Sequence, residues 1–130
     1  PLVGIVIDVD DFKAVNDKFG HSVGDRVLVE IAQAISDSVR PNDICGRVGG
    51  DEFMVLLPSC AMSEAHGIAE RIRDAVNALK LETDSRVINP SVSVGLVALP
   101  SGVTAVTDAL AALGPALKRA KADGKNAVAV

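Results

Sequence analysis

Acidic residues gather at two places in this 130-residue chain: Asp8, Asp10 and Asp11 follow the apolar run Leu2 to Ile7, and Asp51 and Glu52 follow Gly49-Gly50. Carboxylates delivered by two neighbouring strands offer hard oxygen ligands, which suit Mg²⁺ held by one or two acids together with a substrate's phosphates. That is a nucleoside triphosphate geometry. The junction Asp10-Asp11-Phe12-Lys13 adds a helix N-terminus, whose free N–H groups and dipole favour phosphate, with Lys13 as counter-charge. No Walker-type glycine run accompanies it. Lys118, Arg119, Lys121 and Lys125 form the densest basic cluster, either a phosphate clamp or cations balancing a helix C-terminus. On spacing alone, helix capping by Asp8 and Asp10 and a solvated hairpin turn account for the same acids, and an exposed Lys13 needs no ligand.

Other chemistries find little to build on. His21 and His66 show no zinc spacing with each other or with Cys45 and Cys60, and no Ser/His/Asp order suggests a triad. Two cysteines far apart in sequence are no disulfide framework; both are expected as free thiols in a reducing cytoplasm, with Cys45 in the core. With 13 Lys+Arg against 17 Asp+Glu and a formal net charge of -4, a general polyanion-binding surface is disfavoured. Trp and Tyr are absent and Phe12, Phe19 and Phe53 are the only aromatics, so a base-stacking platform is hard to assemble. Neither DNA nor RNA is an expected partner. An apolar fraction of 48% excludes disorder, while no apolar run approaches the roughly 18 residues of a membrane span, so no membrane contact is expected.

The elements that must position these residues follow from periodicity. Leu2 to Val9 reads as a buried strand, and Phe12, Val15 and Phe19 share one face of a short helix that Gly20 stops. Ser22 and Asp25 resemble a capping box opening a long helix over Val27, Ile31, Ile35 and Val39 that ends near Arg40-Pro41. Ile44 to Val48 and Phe53 to Leu57 form a tight hairpin around residues 49–52. Ser63 caps a third helix, Ser91 to Leu99 alternates as a strand, and a last helix reaches about Asp123 with a break expected at Gly114-Pro115. Ala127 to Val130 can close the sheet. The order β-α-α-β-β-α-β-α-β predicts an α+β fold around a mixed sheet, with no internal boundary in residues 1–130.

At this point the motifs become specific. Asp8-Val9-Asp10-Asp11-Phe12-Lys13-Ala14-Val15-Asn16-Asp17, Gly20-His21, Gly24-Asp25, and Arg47-Val48-Gly49-Gly50-Asp51-Glu52-Phe53 together resemble the GGDEF domain of diguanylate cyclases. Ser93-Val94-Gly95, Ala120-Lys121 and Gly124-Lys125-Asn126 extend the likeness over essentially the whole chain. The resemblance implies a palm-type, ferredoxin-like fold of nucleotidyl cyclases, central mixed sheet flanked by helices, that binds GTP with Mg²⁺ or Mn²⁺ and makes cyclic di-GMP and pyrophosphate.

By that resemblance Asp8, Asp51, Glu52 and the Val9 carbonyl hold the metal, with Asp51, Glu52 and Lys13 as catalytic candidates and Glu52 a possible base. Asn16 and Asp25 read the guanine edge, Phe12 and Lys13 meet the phosphates, and Lys121 and Lys125 contact the β and γ phosphates. Gly49 and Gly50 let the hairpin backbone approach the nucleotide. Arg40-Pro41-Asn42-Asp43 resembles an RxxD inhibitory site for the product, which Arg71 completes from a partner domain. Because one domain holds one GTP, a homodimer is needed for turnover. The family's lead helix is missing before Pro1, and Gly114, Pro115 and Lys118 replace its usual residues. The expectation is therefore one GGDEF domain, 1–130, cut from a larger cytoplasmic or membrane-anchored signalling protein with sensor or effector domains. A non-catalytic module that binds GTP or cyclic di-GMP and regulates a neighbour is the alternative.

Overall fold

The computed structural model describes residues 2–84, 86–103 and 105–130. Its centre is β1 (Leu2–Val9), buried from Val3 onward because both of its faces are apolar, as an interior strand requires. β1 lies antiparallel between β3 (Glu52–Pro58) and β6 (Val92–Leu99). The edge strand β2 (Ile44–Arg47) pairs with β3, and β7 (Val128–Ala129) adds parallel to β6, giving the order β2-β3-β1-β6-β7. This is the expected mixed sheet, whose four antiparallel strands follow the ferredoxin-like order.

Helices cover both faces. α2 (His21–Ser38) and α3 (Met62–Asn77) pack Val27, Ile31, Ile35, Ile68 and Ile72 on Val3, Ile5 and Ile7. α4 (Val106–Ala122) covers the other face, where Leu113 and Leu117 meet Val6 and Met54. Burying each such leucine stabilises by about 1.5–3 kcal/mol. α1 (Phe12–Phe19) bridges β1 to α2. Among the described residues no helix is long and apolar enough to cross a membrane.

Several local expectations are corrected. Gly20, at φ 89, is the N-cap of α2, so Ser22 and Asp25 lie inside the helix and no capping box forms. α3 likewise starts after Ala61, ahead of Ser63. α4 runs unbroken through Gly114-Pro115. Both residues are exposed, while Leu113, Ala116 and Leu117 continue one buried stripe whose packing outweighs the roughly 3 kcal/mol a proline costs inside a helix. Cys45 is exposed, because β2 is an edge strand with no helix covering it at that point. A small hairpin of β4 (Leu81–Thr83) and β5 (Arg86–Ile88) was not anticipated; its register pairs Thr83 with Arg86.

Candidate active site

The sheet register assembles the acidic centre. Asp8, at the end of β1, stands opposite Glu52 of β3 and Ser93 of β6. The Val9 N–H donates to the Asp51 carbonyl at 3.0 Å, folding the hairpin turn over the end of β1. Asp8 is 7% exposed, and its Oδ2 accepts the Lys121 ammonium from the last turn of α4. Burial pushes the Asp8 carboxyl upward; the Lys121 bond opposes this, the charge of Asp51 adds to it, and the net direction is up. Burial likewise raises Glu52, reinforced by repulsion from Asp8 and Asp51 and only partly offset by Lys121. Lys121 is raised in turn, first by its bond to Asp8 and then by the field of the same acids.

This centre carries more negative charge than one ammonium neutralises. Asp8, Asp51, Glu52 and the Val9 backbone are oxygen donors of the kind a hard divalent cation takes, so the residues fit Mg²⁺ or Mn²⁺. Among the described residues no three His, Cys, Asp or Glu side chains form a metal-holding group unaided. A cation that draws its remaining ligands from phosphate and water needs no such group.

A cleft of about 280 Å³ joins Asp8, Asp10, Asp11 and Asp51 to Phe12, Lys13, Lys121 and Lys125. Lys13 is exposed at the start of α1, which follows Asp11 in the left-handed region at φ 53. Lys125 Nζ reaches Asp11 Oδ1 at 2.8 Å, and that bond raises its pKa. Asp10 also lines this cleft, but its carboxylate is engaged by neighbours of its own: it accepts the Ser91 and Ser93 hydroxyls at 2.7 and 2.6 Å and the Asn126 N–H at 2.9 Å.

Asn16 and Asp25 come from different helices, and Gly24 lets the Asn16 side chain rest against α2. A Cβ on Gly24 would lie 1.9 Å from Asn16 Oδ1, so the carboxamide rests in the space a side chain would fill, one residue from Asp25. Asp25 also borders a cavity of about 490 Å³, larger than the acidic cleft and walled by Leu28, Ile35, Gly46, Arg47 and Phe53 between α2 and the hairpin. Its apolar walls suit a flat heterocycle, whereas the smaller acidic cleft suits charged groups. Gly50 has open space where its side chain would be, and Gly49 meets only Glu52 Cβ at 3.6 Å.

Sequence reasoning gave Arg47 no part in the site. Its guanidinium donates to the Gly49 carbonyl at 3.1 Å and the Gly50 carbonyl at 2.7 Å, bracing the turn before Asp51. The available signal was its place two residues before a glycine pair, whose carbonyls lack ladder partners.

Arg40 and Asp43 form a separate constellation. Arg40 holds Asp43 through Nε at 3.1 Å and NH2 at 2.8 Å, and also bonds Glu64 at 3.1 Å and the Pro58 carbonyl at 2.9 Å. Burial pushes the Asp43 carboxyl up, but the Arg40 bonds outweigh it and hold it below the usual range. Arg71 donates to the Ser38 carbonyl at the end of α2, two residues from Arg40.

The family model described as "Diguanylate cyclase, GGDEF domain" matches residues 1–127. The response regulator PleD of Caulobacter vibrioides is 37% identical over 98% of this chain and 29% of its own length. Diguanylate cyclase A of Treponema denticola is 36% identical over 95% of this chain and 33% of its own. The chain thus spans about a third of these relatives. Among solved structures, diguanylate cyclase SiaD of Pseudomonas aeruginosa, in complex with its activator SiaC, superposes with a TM-score of 0.91 at 38% identity, covering 98% of this chain and 48% of that one. The GGDEF domain of DgcB from Caulobacter crescentus, in complex with c-di-GMP, gives 0.89 at 30% identity, covering 98% and 74%.

Proposed function

The chain belongs to the GGDEF family of diguanylate cyclases, and from that premise we propose that it condenses two GTP into cyclic di-GMP with release of two pyrophosphates. The observation that carries this reading is the meeting of Asp8, Asp51 and Glu52 with Lys13, Lys121 and Lys125 at one end of the sheet. Asp8, Asp51, Glu52 and the Val9 carbonyl are the residues that would hold Mg²⁺ or Mn²⁺. When bound, the cation polarises the α-phosphate and lowers the pKa of the attacking 3′-hydroxyl. Glu52 serves either as a further ligand of that cation or as the base that accepts the hydroxyl proton.

Asn16 and Asp25 read the guanine. A carboxylate accepts from the N1 and N2 hydrogens while the amide offers a complementary donor and acceptor. Phe12 and Lys13 meet the phosphates, and Lys121 and Lys125 exchange Asp8 and Asp11 for the β and γ groups. The open space at Gly49 and Gly50 leaves room for the nucleotide beside the turn. Each domain holds one GTP, so two domains face each other antiparallel, and each 3′-hydroxyl attacks the other's α-phosphorus. Arg40, Asp43 and Arg71 bind the product and slow the enzyme. The parent protein carries sensor or effector domains and works in the cytoplasm.

The test is product formation from GTP and Mg²⁺ over a range of protein concentrations, resolved by chromatography. Cyclic di-GMP should form at a rate rising faster than linearly with protein. GTP binding without product would overturn the catalytic reading in favour of a regulatory module, and a rate that stays linear at concentrations where sedimentation shows the chain to be monomeric would overturn the two-domain step.

A further inference from the structure

Three segments converge on Asp10. Its N–H donates to the Ser91 carbonyl at 2.9 Å, and its carboxylate takes the Ser91 hydroxyl, the Ser93 hydroxyl and the Asn126 N–H. Ser93 is fully buried. With three donors within 2.9 Å, this carboxylate, which also lines the cleft, is tied to β6 and to the 124–126 turn.

What the third donor belongs to is unusual. Gly124, Lys125 and Asn126 all have positive φ, at 106, 64 and 45, and two of the three are not glycine. Such a run persists only where its surroundings over-determine it. Its other backbone ties are longer: the Gly124 N–H reaches the Lys121 carbonyl at 3.2 Å, the Lys125 N–H reaches the Ala120 carbonyl at 3.3 Å, and Arg73 NH1 reaches the Asn126 carbonyl at 3.5 Å. The Asn126 side-chain oxygen is buried without a partner among the described residues. The charge-assisted bond to Asp10 is therefore the short, strong tie that keeps the turn left-handed.

We propose that Asp10 is a positioning residue: by holding the left-handed 124–126 turn against the ends of β1 and β6, it sets Lys125 at the phosphate end of the cleft. The inference rests on the reading that Lys125 meets the triphosphate. Without Asp10 the turn relaxes toward ordinary φ values, and Lys125 leaves the position from which it now meets Asp11 at 2.8 Å. Guanine recognition by Asn16 and Asp25, on α1 and α2, does not depend on this turn.

The experiment compares binding of GMP and of 3′-deoxy-GTP, which cannot form the phosphodiester, to the chain with Mg²⁺ by calorimetry. Asp10→Ala should leave GMP affinity unchanged and cut the preference for the triphosphate by about tenfold, the scale of one charge-assisted hydrogen bond. Lys125→Ala should do the same, and the double variant little more. A folded Asp10→Ala chain that keeps the full preference, or losses that add independently, overturns the proposal. Should Asp10→Ala fail to fold, Ser91→Ala with Ser93→Ala removes two of the three donors and should erode the same preference; full retention there is equally fatal. If the unaltered chain binds both nucleotides alike, the phosphate reading itself falls, and this inference with it.

Discussion

Gly95 sits in β6 opposite Val6, where α4 crosses the sheet, and replacing it with alanine should cost both stability and turnover. A Cβ there would stand 2.5 Å from the Leu117 nitrogen and 2.9 Å from the Ala116 carbonyl carbon. Both are backbone atoms, so no rotamer change can relieve the contact. Withdrawing Leu117 to an ordinary 3.4 Å moves α4 outward by about 0.9 Å. Overpacking of this kind costs about 1–3 kcal/mol, against about 0.5–1 kcal/mol gained from losing a flexible glycine. The net loss should lower Tm by about 5 °C. Lys121 lies one turn beyond Leu117 on the same helix, and Asp8 lies on β1, which does not move with it. A displacement near 1 Å at reacting groups costs about a hundredfold in rate. Thermal unfolding and GTP turnover on the same preparation read both effects. Gly67→Ala, in α3 with nothing within 4 Å of the added atom, is the control and should stabilise by about 0.5–1 kcal/mol. Gly95→Ala with Tm and turnover both near those of the unaltered chain would refute the close-approach argument.

Three further outcomes are expected. Gly24→Ala puts a methyl where Asn16 Oδ1 now rests; the side chain swings away at little cost in Tm, so KM for GTP should rise about tenfold, the scale of one lost hydrogen bond in a closed site, and an unchanged KM would remove Asn16 from guanine recognition. Asp8→Asn should abolish turnover yet raise Tm by a few degrees, because the folded state raises the Asp8 carboxyl above its unfolded value and so disfavours its ionised form at neutral pH; a lower Tm would show that the Lys121 pair outweighs burial. Arg40→Ala should relieve inhibition by added cyclic di-GMP, and unchanged inhibition would return the arginine to a purely structural role. It should also lower Tm, because Asp43 loses the partner that depresses its pKa; that contribution is present above the unfolded carboxylate pKa of about 3.9 and fades as pH falls through the folded value, so the Tm gap between the two chains should narrow in acid.

Legibility in the sequence divided along physical lines. Strands β1 and β6 and the hairpin could be read because apolar alternation and glycine turns are local signals, and the same holds for the stripes of α2 and α3. Helix starts were misread at Ser22 and Ser63 because capping types were present but Gly20 and Ala61 took the caps, a choice made by chain direction on entering the helix. Pro115 misled for the opposite reason: its local cost is real, but the burial of Leu113 and Leu117 that offsets it is tertiary. At the site, residue types and order pointed to Asp8, Asp51 and Lys121, and the structure brings them together. That Asp10 belongs to a latch and Asp8 to the centre could not be read from two aspartates one residue apart. Strand alternation would put residues 8 and 10 on one face, but β1 ends at Val9, and only the partners, Lys121 for one and Ser91 and Ser93 for the other, distinguish their roles.

The charges assigned to ligands share one feature that bears on how such a site works. Lys121 is held by Asp8, Lys125 by Asp11, and Arg40 by Asp43 and Glu64. Under the proposed function each of these cations is an anion-binding group, and in the free chain each already has an acidic partner. Binding of a triphosphate or of the dinucleotide product is then an exchange of partners rather than the filling of a bare cation. The gain per contact is the difference between two ion pairs, which for exposed groups is small. An acidic chain of net charge -4 can in this way hold a polyanion without presenting a basic face to other nucleic acids. It also makes the cation decisive. A divalent ion at Asp8, Asp51 and Glu52 releases Lys121 from Asp8, so metal and triphosphate should bind with positive coupling. Titrating 3′-deoxy-GTP at increasing Mg²⁺ should show its affinity rising, and Lys121→Ala should weaken that dependence. A dependence left intact in Lys121→Ala would mean that the metal acts on the phosphates alone and that the partner exchange plays no part.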